Sequence, residues 1–110
     1  MLFTLVWFAC GTEFDTGEFD CAGAPDVTYH NFGSSFLRHN CQGCHASTTA
    51  DRYGAPEGVF FDDVEQAWQW KARILAVTIG EEADMPPAGT IPHDDQMMLY
   101  WWLECNRKGT

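Results

Sequence analysis

The chain has 110 residues, with sixteen acidic side chains against six basic ones and a formal charge of −10. That length allows one small domain with a thin core. The charge excludes nucleic acid and anionic lipid headgroups as natural partners, since such a field repels both.

Residues 1–10 open with an almost wholly apolar run, Met1-Leu2-Phe3-Thr4-Leu5-Val6-Trp7-Phe8-Ala9, followed by Cys10. Nine residues cannot span a bilayer, which takes about twenty. The run reads as the end of a secretory hydrophobic region. A cysteine directly after Ala9 resembles a bacterial lipoprotein cleavage site, which would make Cys10 the lipid-bearing residue. No basic residue precedes the run and Trp7 and Phe8 are bulky for that position, so cleavage to a soluble protein stays open beside lipidation. Residues 11–28 turn acidic, with Glu-Phe-Asp occurring twice before Cys21. They read as a solvated tether, with docking of the two phenylalanines left open.

A first helix is expected over residues 31–39, where Phe32, Phe36 and Leu37 fall on one side. It runs into Cys41-Gln42-Gly43-Cys44-His45, the most informative stretch of the sequence. Cys-x-x-Cys-His is the attachment pattern of a c-type haem. Two thiols three positions apart share one side of a helical turn and reach two vinyl groups on one porphyrin edge. The next histidine can ligate the iron on one face. A thioredoxin-type redox pair expects a strand before the first cysteine and has no use for the histidine. A zinc site needs further ligands, usually a second closely spaced pair, and none follows.

Residues 46–58, rich in Ser, Thr, Gly and Pro, read as loop and include Pro56. Asp62 opens the second helix in this reading, with Glu65 three positions on as a capping box. The helix continues through Trp68, Ala72, Leu75 and Ile79 and stops at Gly80. Met85-Pro86-Pro87 then offers a second iron ligand, forty positions after His45. A thioether is a soft, neutral ligand that favours ferrous iron, and prolines directly after it stiffen its loop. Met97 and Met98, by contrast, sit inside an apolar helical pattern and read as core. His93, His39 and His30 are the alternative ligands to Met85.

Pro92 opens a third helix, with Asp94 and Asp95 favourable in its first turn. Its run Met98-Leu99-Tyr100-Trp101-Trp102-Leu103-Glu104-Cys105 is apolar on more than one face, so part of it is expected to be buried on haem or on a partner. Trp68, Trp70, Trp101 and Trp102 read as core or pocket lining. No segment alternates as a strand does, so the fold class is all-α.

Taken together, the pentamer, Met85-Pro86-Pro87, Gly33 and Leu37 eight and four positions before Cys41, and Leu99-Tyr100-Trp101-Trp102-Leu103 resemble a class I c-type cytochrome domain over residues 29–105. The resemblance implies a cytochrome c fold, three main helices around one covalently attached haem c, with His45 and Met85 as axial ligands. It implies that the neighbourhood of Pro56 is presented to the imidazole and that the last helix crosses the first. With Cys41 and Cys44 given to haem and Cys10 to lipid, that crossing makes a Cys21–Cys105 disulfide sterically sensible. Domain boundaries follow as leader 1–10, tether 11–28 and cytochrome domain 29–110. The porphyrin would add a large apolar disc to a thin core.

The expected function is one-electron transfer outside the cytoplasm, in the periplasm or on a membrane through lipid on Cys10. No enzyme activity is expected, since His45 and Met85 leave the iron no open position. A haem subunit or docking domain of a larger oxidoreductase is the alternative. A ligand-binding or peroxidase-like sensor with a displaceable Met85 is another. The charge favours redox partner proteins with a basic docking face.

Overall fold

Thr28 starts the helical part of the chain in the computed structural model, which describes residues 19–80 and 83–106. The Thr28 backbone is extended, and its Oγ1 accepts from the Asn31 N–H at 3.1 Å while its own N–H donates to Asn31 Oδ1 at 2.7 Å. This reciprocal cap fixes the entry two residues before the expected start. A π-helical turn, Tyr29–Gly33, leads into α1, Ser34–Asn40. The turn closes with the Gly33 N–H on the Thr28 carbonyl at 3.1 Å, five residues back. Phe36 and Leu37 are buried, and half-buried Phe32 stacks on Phe36 with ring centroids 5.2 Å apart.

At the other end, α5 spans His93–Tyr100 and continues as a second π-helical turn, Trp101–Cys105. Pro92 caps α5 from just outside, its carbonyl accepting from the Gln96 N–H. Leu99, Trp102 and Leu103 are completely buried. The two π-helical turns meet at Gly33, where a Cβ would stand 2.5 Å from the Trp102 ring. Only a glycine admits that approach.

The stretch expected as tether behaves differently over its described part, 19–28. Phe19 is buried, its ring 5.6 Å from Tyr100 and 6.0 Å from His93. The Trp101 Nε1–H donates to the Asp20 carbonyl, and the Asn106 side-chain amide donates to the Val27 carbonyl. Val27 itself is 1 % exposed, and Cys21 is disulfide-bonded to Cys105 as expected. These residues form a strap on the last helix. The strap corrects the expectation that this helix needs haem or a partner to cover its second face. The leader, Cys10 and residues 11–18 lie outside the described residues.

Between these ends, the single helix expected from Asp62 to Gly80 is two: α3, Val64–Gln69, and α4, Lys71–Thr78. Trp70 departs from helical angles between them, at φ −100° and ψ 10°. The cap is Asp63, not Asp62, its carboxylate accepting from the Gln66 N–H. Gln66 Oε1 in turn accepts from the Asp62 N–H at 2.7 Å. Gly80, at φ +97°, ends α4 where the sequence placed the stop. A short helix α2, Gln42–His45, completes the set. Among the described residues there is no strand, and no helix is long and apolar enough to cross a membrane. The protein is all-α over these residues.

Candidate functional site

A cavity of about 480 Å³ opens between α1, α2, α4 and the two long loops. Cys41, Cys44, His45, Pro56 and Met85 all line it. His30, His39 and His93 do not, and nor does any residue of α5 or the turn after it. Of the four tryptophans singled out above, Trp70 alone reaches the wall, turned there at the break between α3 and α4.

The pentamer is not a continuation of α1. Cys41 leaves the helix at φ −125°, and its carbonyl then accepts from the Cys44 and His45 N–H groups at 3.1 and 2.9 Å. This new turn keeps both thiols on the cavity side. The returning loop pins it: Gln42 Nε2 donates to the Phe61 carbonyl, the Phe61 N–H to the His45 carbonyl, and Thr49 Oγ1 to the Gln42 carbonyl. Farther out, hydrogen bonds from the Ser47 side chain and from its N–H, which donates to Asp62 Oδ1 at 2.9 Å, hold the Asp62 carboxyl below its ordinary range.

The imidazole of His45 is oriented by a backbone group. Its Nδ1 lies 3.0 Å from the Val59 carbonyl oxygen. A carbonyl only accepts, so Nδ1 carries the proton and the neutral ring keeps its free lone pair on Nε2. The Phe61 ring sits 4.9 Å away at 43°. The carbonyl that meets the imidazole belongs to Val59, three residues after Pro56. Pro56 starts the turn that delivers Val59, whose N–H bonds back to the Pro56 carbonyl at 3.4 Å. Gly58, at φ +88°, occupies the one position of that turn that needs a left-handed backbone. Sequence reasoning missed Val59, because a backbone acceptor leaves no mark in side-chain chemistry.

Met85 is half-buried on the wall beside Pro86 and Pro87. Its loop is fastened to the end of α4, where the Val77 carbonyl accepts from both the Asp84 and Met85 N–H groups at 2.9 Å. The Gly89 N–H closes on the Pro86 carbonyl at 3.2 Å, and the Met85–Pro86 peptide is cis.

The chemistry these groups can perform is narrow. Cys41 and Cys44 are free thiols, and burial pushes the Cys41 thiol up to about 12. A redox or nucleophilic cysteine needs the opposite shift. Among the described residues no three His, Cys, Asp or Glu side chains gather as a metal ion bound by them would require. Beside the thiols, the wall carries the His45 imidazole, the Met85 thioether and the Asp84 carboxylate, facing a mainly apolar space. Phe36, Val59, Phe61, Ile74 and Val77 supply much of its surface. Compared with family models, with curated proteins and with solved structures, the chain finds no match in any of the three.

Proposed function

We propose that this protein is a one-electron carrier of the class I c-type cytochrome kind. One observation carries the reading. Cys41, Cys44, His45 and Met85, the last of them forty positions after His45, line a single cavity that the other histidines do not reach. The residues fit the group they would hold: Cys41 and Cys44 through thioether bonds, His45 and Met85 through the iron. When bound, the haem supplies a metal centre that takes up and releases one electron.

The chain's own residues do the rest. The Val59 carbonyl holds the His45 ring with Nε2 free to ligate. Met85 offers a thioether from a loop fastened at Val77, and that soft donor raises the reduction potential. Phe36, Phe61, Ile74 and Val77 exclude water and keep the local dielectric low. With His45 and Met85 both holding the iron, the chain would leave it no open position for a substrate. The meeting of the first and last helical segments at Gly33 and Trp102 supports the cytochrome c fold within the all-α class. The Cys21–Cys105 bond suits an oxidising compartment, which supports the periplasm, or the extracytoplasmic face of a membrane through lipid on Cys10, as the site of action. The acidic balance favours partners with a basic docking face.

The test is optical and mass spectrometric. Protein matured with haem should carry one covalent haem on the peptide containing Cys41 and Cys44. Its oxidised spectrum should show a weak thioether-to-iron band in the far red, absent in Met85→Ala. A high-spin spectrum that changes on adding carbon monoxide, or a chain with no covalent haem, overturns the reading.

A further inference from the structure

Among the described residues, two basic side chains, Arg52 and Arg73, line the cavity against one acidic side chain, Asp84. Over the described residues the lining thus has a positive balance, in a chain of charge −10. Arg52 is the more telling of the pair. Its Nη1 is buried and has no hydrogen-bond partner. Its guanidinium lies over the Phe60 ring, 4.8 Å from the centroid. That contact favours the cation but accepts none of its N–H groups. A guanidinium cannot shed its charge, and a buried donor with no acceptor is destabilising.

We infer that Arg52 is the carboxylate-binding residue of the cavity, holding an anionic group on an otherwise apolar ligand, with Arg73 adding a second positive charge. This rests on the haem reading, under which the anionic group is a porphyrin propionate. A planar guanidinium fork matches a carboxylate better than any other side chain does. The same loop carries Arg52 and the Val59 carbonyl, seven residues apart. Anchoring the ligand's carboxylate therefore fastens the loop that orients His45.

A titration of the full chain, made without haem attachment, separates this from a purely structural role. The probes are iron mesoporphyrin IX, whose ethyl groups cannot couple to thiols, and its dimethyl ester. Wild type should bind the diacid about ten- to a hundredfold more tightly than the ester, the range of one charge-assisted hydrogen bond. Arg52→Met should lose most of that preference, leave the affinity for the ester unchanged, and leave the melting midpoint of the free chain unchanged or higher. Arg52→Lys should restore part of the preference. Equal binding of diacid and ester by wild type overturns this inference and leaves the haem reading standing. Binding of neither overturns both. If Arg52→Met lowers the midpoint and weakens both probes alike, Arg52 serves the fold and not the ligand.

Discussion

Helix α1 faces two regions built by different means. Toward the last helix it presents Leu37, completely buried, just after Gly33, whose missing side chain lets the Trp102 ring lie against the backbone. Leu99, Trp102 and Leu103 are as completely buried from the other side. Toward the cavity it presents Phe36 and Asn40, and there the space is bounded by α2, α4 and two loops. Those loops are held by directed bonds: Gln42 to Phe61, Phe61 to His45, His45 to Val59, Met85 to Val77. The contrast separates two jobs. Close packing keeps the chain folded, and hydrogen bonds with room between them keep the cavity's groups aimed.

That division can be broken by experiment, and the largest effect should come from the packed side. Trp102→Ala should cost about 3–5 kcal/mol in denaturant unfolding, the usual range for a fully buried large aromatic. A loss under about 1 kcal/mol would mean that the crossing is not where stability resides. Gly33→Ala is the sharper probe, because a single methyl would meet the Trp102 ring at 2.5 Å. It should cost about 1–3 kcal/mol as the ring is displaced, with the redox spectrum of haem-loaded protein unchanged. Asp62→Asn, on the cavity side, should have the smallest effect. The Ser47 hydrogen bonds lower the Asp62 carboxyl in the folded state, so its contribution is present at neutral pH. It is lost as pH falls through the folded value, below the ordinary carboxylate range. Wild type should therefore weaken slightly more than Asp62→Asn between neutral and acid pH. A difference as large as that of Gly33→Ala would erase the contrast between the two regions.

What the sequence revealed follows the same line. The pentamer and Met85 were legible because their chemistry resides in side chains of rare type at telling positions. Gly33 was legible as a small residue, although its steric reason needed Trp102 beside it. The absence of strands among the described residues followed from the lack of alternation, and the stop at Gly80 from glycine's tolerance of a left-handed backbone. Val59 was hidden because its functional atom is a carbonyl common to every residue. The break at Trp70 was hidden because an apolar helical pattern reads straight through it. The cap moved by one residue since Asp62 and Asp63 are chemically equivalent and only Gln66 distinguishes them. The strap was obscured by its composition: two buried side chains, Phe19 and Val27, stand in a run otherwise suited to water. Arg52 sits in a loop whose side chains carry no periodic signal, and its cavity exists only in three dimensions.

The Cys21–Cys105 bond has a topological consequence. It joins residues 84 positions apart, so every helix from Tyr29 to Glu104 lies within one covalent ring. The chain enters and leaves that ring at a single knot beside the strap. One backbone cut anywhere between the two cysteines linearises the ring without releasing a fragment. The thiols at 41 and 44 and the thioether at 85 would then still belong to one molecule. Covalent closure thus keeps the cavity's parts in one molecule whatever cut the backbone between the two cysteines suffers.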